Sequence, residues 1–372
     1  MLLKDNYMDN RTRIINTVLM KDIDRQPFKF YFGPWRETIE RWESEGLEKG
    51  KRWDEGFSFD PGIITADVNY GYYPVFERKI IEEKEHTLII QNQQGILEEV
   101  LKAGSSPPRT IANPISDRDG WEKLKAQRLN PDSPQRFPEH WDKLAGEYNE
   151  GECLIQVGRF PYGLFGTLRD LFGAEHLLLM FYEDPDLIKD IMDYLTDFWI
   201  AIYEKICQKV QVHVLHMWED MSGKNGSLIS PKMVYEFMVP NYKKMSAFAK
   251  EHNIPIFSLD TDGDCSQLLP AFIDSGINLV LPFEVAAGSD IVAYRKMFPS
   301  LCMNGGIDKR EIAKGPEAIE KELDRIDSMF NGPGYWASLD HLIHPEISWD
   351  NFNYFVAALR RRIHKYSKEK QV

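Results

Sequence analysis

Residues 254–284 read IPIFSLDTDGDCSQLLPAFIDSGINLVLPFE, and this stretch decides the fold class. An apolar run ends in Asp260 and Asp262, a helical segment follows and ends at Gly276, and a second apolar run ends at Glu284. A strand, a helix and a second strand in this order predict a parallel βαβ unit.

The same theme repeats on both sides of this stretch, from about residue 150 to the last helix. Short apolar strands alternate with amphipathic helices, and the strands end near Glu219, Asp260, Glu284, Asn304 and Asp340. This pattern predicts an α/β fold, and in particular a (β/α)8 TIM barrel. No glycine-rich fingerprint follows the first strand, so a dinucleotide-binding sheet has no support.

The N-terminal third of the chain is less regular. FKFYFG (28–33) predicts the first strand, and ETIERWESEG (37–46) predicts the helix behind it. Residues 74–100 alternate apolar and polar positions, which indicates a small N-terminal antiparallel β excursion. We expect one barrel domain over residues 1–372, with the inserted strands and loops at about residues 70–145.

The composition argues for a soluble protein that acts on a small molecule. The net charge of −13 opposes binding to nucleic acid or to an anionic membrane surface. The four cysteines are far apart and form no CxxC pair, which favours a reducing compartment over a disulfide framework. The start of the chain lacks a signal-peptide pattern, and no apolar run is long enough to span a bilayer. We therefore expect a cytoplasmic protein with no membrane partner.

In a barrel, the active site is built at the C-terminal ends of the strands. The residues expected there are polar as a set: His216, Trp218, Glu219, Asp220, Asp260, Asp262, Glu284, Asn304, Asp308, Asp340 and His341. Converging carboxylates with one or two histidines suit either a divalent metal or general acid and base catalysis. Crowded carboxylates also raise one another's pKa, which can keep a proton donor available near neutral pH.

Several of these residues also have a purely structural interpretation. Asp262 and Gly263 form a common turn pair, Asp264 can cap the following helix, and the glycines after Asn304 account for a tight turn by themselves. Aromatic rings near the polar clusters suit a flat organic substrate, although they could equally be packing residues. The predicted substrate-binding residues are Phe32, Trp35, Tyr162, Trp218, Glu284 and Asn304.

Five motifs follow one another in the C-terminal half of the chain: D-x-D-G, LPFE, MNGGID, DH-x(2)-HP and DNF. Their order resembles the uroporphyrinogen decarboxylase superfamily, which contains the haem-pathway decarboxylase and the zinc-dependent, corrinoid-linked methyltransferases. The likeness covers nearly the whole chain, from Arg11 to the last helix. It implies a (β/α)8 barrel and, as a family property, a homodimer.

The two branches of that superfamily differ at positions that can be compared in this chain. The decarboxylase holds substrate carboxylates with arginines after its first strand, where this chain has Arg36 and Arg41 at a different spacing. The methyltransferases bind zinc through His-x-Cys and a later Cys, where this chain has Asp260, Asp262 and His341. The resemblance thus implies that these three residues can hold zinc, with an ether or hydroxyl oxygen as a more natural partner than a thiol.

Three functions remain open on the sequence. The first is a methyltransferase that moves a methyl group, for example from a methoxy compound, to a separate corrinoid protein, with Glu219, Asp260 and His341 as catalytic residues. Cobalamin would then be carried by that partner alone, since the D-x-H-x-x-G corrinoid signature is absent from this chain. The second is a decarboxylase without cofactor, in which the same acids donate protons. The third is a non-catalytic partner of a corrinoid system.

Overall fold

The computed structural model describes residues 8–103 and 108–368. The strands within these ranges, in chain order, are β1 Ile63–Thr65, β2 Lys79–Glu83, β3 Thr87–Gln91, β4 Leu97–Leu101, β5 Arg109–Ala112, β6 Leu154–Val157, β7 Val214–Trp218, β8 Ser222–Gly223, β9 Gly226–Ser227, β10 Ile256–Asp260, β11 Leu279–Phe283, β12 Cys302–Ile307 and β13 Tyr335–Leu339.

The helices alternate with most of these strands. In chain order they are α1 Asn10–Val18, α2 Arg36–Glu45, α3 Arg118–Arg128, α4 Trp141–Glu150, α5 Leu164–Phe172, α6 Ala174–Glu183, α7 Pro185–Cys207, α8 Pro231–Met233, α9 Val239–Glu251, α10 Leu269–Asp274, α11 Ile291–Met297, α12 Lys309–Ile312, α13 Pro316–Arg325 and α14 Trp349–Lys365. A π-helical turn, Val234–Met238, joins α8 to α9.

Seven strands of the described residues form one curled parallel sheet, in the order β1, β6, β7, β10, β11, β12, β13. Strands β6, β10, β11, β12 and β13 are buried at every position, as expected when both faces of a parallel sheet are covered. The predicted α/β fold is therefore confirmed. Because the strands are parallel, their C-terminal ends meet at one edge of the sheet, where the polar residues lie.

The inner face of the sheet is apolar at its N-terminal end. Leu154, Val214 and Ile256 point inward there and pack against Ile14 and Val18 of α1, which closes that end of the barrel. Side chains alternate along a strand, so the inward positions two residues later belong to the same lining. That alternation brings polar residues into the barrel further along β6, β7 and β10.

The prediction of a first strand at residues 28–33 is wrong, and the described residues provide seven barrel strands rather than eight. The backbone groups of this segment form hydrogen bonds that are not part of a strand–strand ladder. The Phe28 N–H donates to the Asp60 carboxylate at 2.8 Å, and the Phe28 carbonyl accepts from the Asp60 N–H at 2.9 Å. The Lys29 carbonyl accepts from the Trp336 indole at 2.6 Å. Since these groups are already satisfied, the segment lies beside β13 as an irregular extended chain.

The predicted antiparallel excursion is confirmed over four strands. Strands β2, β3, β4 and β5 pair in sequence order as antiparallel neighbours, from Lys79 to Ala112. Residues 104–107 of the excursion lie outside the described residues. The proposed domain limits, residues 1–372 with an insertion at about 70–145, stay predictions.

Helix α7 shows how local sequence fixes one of the elements that cover the sheet. It begins at Pro185, a residue suited to the first helical position, directly after Asp184. The Asp184 side chain accepts the Leu187 N–H at 3.0 Å, which caps the start of the helix. Apolar residues on one face of the helix are buried, and each stabilises the fold by about 1.5–3 kcal/mol. Among the described residues, no helix combines the length and apolar character needed to cross a membrane.

Candidate active site

A cavity of about 440 Å³ opens inside the curl of the parallel sheet. Polar and aromatic residues of its lining include Lys29, Tyr31, Phe32, Gln156, Arg159, His216, Asp260 and Trp336. Asp260 on β10 lies four residues after Ile256, and His216 on β7 lies two residues after Val214. The inner face therefore changes from apolar to polar toward the C-terminal ends of the strands.

Asp260 is the acid of this cavity. It is 8% exposed, and within the described residues no hydrogen bond reaches either of its carboxylate oxygens. Burial raises the pKa of Asp260 well above its ordinary value, and the charges of Asp262, Asp220 and Glu284 raise it further. A raised pKa favours the protonated carboxyl group, and a protonated carboxyl group can act as a general acid.

His216 faces the same cavity as a neutral group. Its Nδ1 lies 2.9 Å from the Ser258 hydroxyl and 3.4 Å from the Tyr31 hydroxyl. Burial lowers the pKa of His216 to about 4, so the ring is uncharged at neutral pH. A neutral imidazole can orient a substrate through hydrogen bonds without adding a positive charge to the cavity.

Asp262 and His341 form an ion pair close to the mouth of the cavity. The His341 Nε2 lies 3.3 Å from the Asp262 Oδ1, and the imidazole packs against Phe32 with ring centroids 5.0 Å apart. Burial opposes the charge on His341, but the hydrogen bond and charge of Asp262, with the charge of Glu284, raise its pKa overall. The two residues thus satisfy each other beside a ring that lines the cavity.

The family model of "Uroporphyrinogen decarboxylase (URO-D)" matches residues 71–362, which is most of the chain and includes the acidic ends of β10 and β11. The chain belongs to the uroporphyrinogen decarboxylase family. A curated uroporphyrinogen decarboxylase from Campylobacter concisus (strain 13826) is 22% identical over 187 residues, which are 49% of this chain and 51% of that protein. The chain thus matches about half the length of this relative.

Solved structures agree with the family assignment at the level of the fold. A methyltransferase from Methanosarcina mazei superimposes with a TM-score of 0.59 over 97% of this chain and 100% of that chain, at 14% sequence identity. At this identity the likeness supports the fold alone. The uroporphyrinogen decarboxylase family assignment therefore indicates an enzyme-like barrel without choosing between decarboxylation and methyl transfer.

In this uroporphyrinogen decarboxylase family member, Glu219 is bound on all sides by the protein. Its carboxylate accepts hydrogen bonds from the N–H groups of Leu164, Phe165 and Gly166 at 3.0, 2.6 and 3.3 Å, and from the Tyr242 hydroxyl at 2.7 Å. Burial raises the pKa of Glu219 to about 7, against the effect of these bonds. The contacts indicate that Glu219 fixes the start of α5 against β7, and its catalytic role stays a prediction.

Of the residues predicted to bind substrate, one ring lines the barrel cavity and three rings lie elsewhere. Phe32 is part of the lining. Trp35 packs on His344 with ring centroids 4.7 Å apart. Trp218 packs edge-on against Phe160, a lining residue, with ring centroids 4.7 Å apart. Tyr162 lines a separate cavity. Trp35 and Tyr162 lie outside regular strands, where no two-residue period applies, and Trp218 is the last residue of β7.

The two polar residues predicted to bind substrate brace the loops around the site. The Glu284 carboxylate accepts the Gly263 N–H at 2.9 Å and lies 3.7 Å from the Lys309 Nζ. Asn304 is fully buried and donates to the Trp336 carbonyl at 3.1 Å. Neither residue is part of the cavity lining. Their positions favour support of the site over direct contact with a substrate.

The predicted zinc ligands do not gather into a three-ligand site. Within residues 8–103 and 108–368, no group of three or more His, Cys, Asp or Glu side chains is arranged to hold a metal ion. Asp262 and His341 pair with each other, while Asp260 faces the cavity. The side chains as they stand therefore do not fit zinc, and its binding by these three residues stays a prediction.

Among the cavity residues, His216 was expected at a strand end, whereas Tyr31, Gln156, Lys29 and Arg159 were not predicted as site residues. Gln156 and His216 are polar residues inside strands that are otherwise apolar, LIQV and VLHMW. Since both strands are buried, such an interruption is a signal for an inward-facing functional position. Tyr31 carries no such signal, because it is one aromatic residue among several in the FKFYFG segment.

Proposed function

We propose that this chain is a methyltransferase that moves a methyl group from a small methoxy-bearing ring compound to a separate corrinoid protein. Asp260, in its protonated form, is the proton donor. The observation that carries the proposal is a buried carboxyl group without a hydrogen-bond partner among the described residues, in a cavity lined by Tyr31, Phe32 and Trp336. A flat substrate suits such rings, and a proton donor suits a departing oxygen.

In the proposed reaction, the bond between the methyl carbon and the oxygen of the donor breaks. The electron pair of that bond stays on the oxygen, and the Asp260 proton neutralises it, so that a hydroxyl compound leaves. The methyl carbon forms its new bond to the reduced cobalt of the partner, which supplies the electron pair. An unprotonated phenoxide or alkoxide is a poor leaving group, which is why the buried acid accelerates the step.

The neighbouring residues would hold the donor and keep water away from the acid. Neutral His216 and Gln156 can hydrogen-bond the oxygen atoms of the substrate, and the rings can exclude water around it. Because the Asp260, Asp262 and His341 side chains are not gathered as metal ligands, the proposal uses no zinc-dependent step.

The experiment compares wild type with Asp260→Asn, which keeps the shape of the side chain and removes its proton. Asp264→Asn is the control, since Asp264 lies on the same loop outside the cavity lining and accepts the Ser266 N–H. A panel of methoxy compounds is incubated with free cob(I)alamin, and demethylated product is quantified. We expect Asp260→Asn to lose about 100-fold or more in rate, and Asp264→Asn to remain close to wild type. Equal rates for wild type and Asp260→Asn would contradict the proposal.

Decarboxylation is the second candidate, and a specific observation favours it. Lys29 and Arg159 line the same cavity and could hold substrate carboxylates, while Asp260 would protonate the carbon left by loss of CO2. The same purified protein is therefore tested for CO2 release from a panel of pyrrole carboxylates. CO2 release without methyl transfer would replace the first proposal, and no turnover in either assay would favour a non-catalytic partner.

A further inference from the structure

A second cavity, of about 120 Å³, lies outside the barrel between α5, α7 and the turn of the β3–β4 hairpin. The aromatic residues Tyr72, Tyr162 and Trp199 line it, together with the carboxylate of Asp170. It shares no lining residue with the barrel cavity. Its volume is close to the ~150 Å³ of a protein cavity that holds benzene, so its occupant must be small.

The polar groups of this cavity lack partners within the protein. Among the described residues, the Asp170 carboxylate forms no hydrogen bond or ion pair, and the Tyr72 and Tyr162 hydroxyls form no hydrogen bond. By contrast, the Trp199 indole N–H donates to the Tyr70 carbonyl at 3.0 Å. A partly buried carboxylate without a partner in the protein is costly, and a ligand that pairs with it would remove that cost.

Two nearby cations are engaged elsewhere. Arg169, the neighbour of Asp170 in sequence, binds the Asp220 carboxylate at 2.6 Å. Arg136 lies over the Phe198 ring, 4.6 Å from its centroid. The Arg136 guanidinium also donates to the backbone carbonyls of Asn69, Gly71, Arg128 and Asn130. Neither arginine therefore neutralises Asp170 by direct contact.

We propose that this cavity binds a small organic ammonium ion, with Asp170 as the counter-ion and Tyr72, Tyr162 and Trp199 as the aromatic wall. Aromatic rings attract a cation through their electron-rich faces, and a carboxylate adds direct charge pairing. The net charge of −13 favours approach of a cation. The Asp170 carboxylate would repel an anion, and a neutral apolar molecule would leave that carboxylate without a partner.

The test measures binding of choline and of its neutral isostere 3,3-dimethyl-1-butanol to the full chain by isothermal titration calorimetry. The two probes have the same shape and differ in charge. We expect saturable binding of choline, with an affinity at least about tenfold higher than that of the neutral probe. Asp170→Asn should abolish this preference while it leaves the weak binding of the neutral probe unchanged.

Asp186→Asn is the matched control, because Asp186 is an exposed aspartate on α7 and its substitution removes the same charge. It should bind both probes as wild type does. Equal affinity for the two probes, absence of choline binding, or a choline preference that survives in Asp170→Asn would each overturn the proposal. The methyl-transfer and CO2-release assays report on the barrel cavity, so their outcome is independent of this one.

Discussion

Asp260 and Glu219 are carboxylates at the ends of β10 and β7, which are neighbours in the sheet. Burial raises the pKa of both groups, but their surroundings differ. Glu219 accepts four hydrogen bonds from the protein, whereas Asp260 faces a cavity with no such bond among the described residues. A carboxyl group that a substrate can reach can transfer a proton to it. A carboxylate whose oxygens accept hydrogen bonds from the protein instead fixes the position of those donor groups.

At the residue scale, we predict that Glu219→Gln changes how stability depends on pH. Glu219 has an ordinary pKa of 4.5 when unfolded and about 7 when folded, so its favourable contribution is complete below about pH 4.5. As pH rises to about 7, the unfolded chain loses this proton first, and roughly 3 kcal/mol of stability is lost. Urea unfolding across this range should show a flatter pH dependence for Glu219→Gln than for wild type.

The control for this prediction is Glu236→Gln, which removes an exposed carboxylate that pairs with Lys189. This variant should follow the pH dependence of wild type. If the free energy of unfolding of Glu219→Gln changes with pH as steeply as that of wild type between about pH 5 and pH 8, folding does not raise the pKa of Glu219.

At the scale of elements, each helix needs a defined beginning, and α7 shows the requirement clearly. It has 23 residues and buries Leu187, Ile188, Ile191 and others against the core. Its first N–H groups have no partner within the helix, and the Asp184 side chain satisfies one of them. The position of the helix start therefore depends on a local contact that the sequence already indicates.

We predict that Asp184→Ala lowers the free energy of unfolding by about 1 kcal/mol, because the Leu187 N–H loses its acceptor. Asp184→Ser is the matched variant, since serine supplies another capping oxygen, and it should stay within a few tenths of a kcal/mol of wild type. Urea unfolding of the three proteins measures the difference. Equal destabilisation by alanine and serine would show that charge, and not capping, is what Asp184 contributes.

At the scale of the whole molecule, the described residues form a curled parallel sheet of seven strands without a regular eighth strand. Residues 28–33 occupy the place beside β13, and Asp60 anchors them through the Phe28 N–H and through a bidentate pair with Arg25. The same segment supplies Tyr31 and Phe32 to the barrel cavity. An anchor outside the cavity thus helps to shape the site.

We predict that Asp60→Ala costs about 3 kcal/mol, because it removes the carboxylate that pairs with the partly buried Arg25 and the acceptor of the Phe28 N–H. Hydrogen–deuterium exchange should rise selectively in residues 28–33. Asp22→Ala is the control, since Asp22 is an exposed aspartate whose side chain pairs only with Lys368 among the described residues. Equal hydrogen–deuterium exchange of residues 28–33 in wild type and in Asp60→Ala would contradict the anchoring role.

The sequence by itself determined the repeating part of the fold. Apolar runs ending in Asp260 and Glu284, each followed by a helical segment, predicted parallel strands with their polar ends at one edge. Alternation in residues 74–100 predicted the antiparallel strands. The first inference succeeded because burial on both faces imposes an apolar run that a single strand already carries, whereas β2 and β5 of the excursion are exposed at every position.

Only the tertiary structure decided which of these residues meet. The carboxylates of Asp260 and Glu219 follow similar apolar runs, yet one faces the barrel and the other the start of α5. The Asp262 pairing with His341 and the irregular path of residues 28–33 likewise depend on partners far away in the chain. A strand's period shows that its sides differ but not which side faces inward, because that phase is fixed by long-range packing and backbone hydrogen bonds.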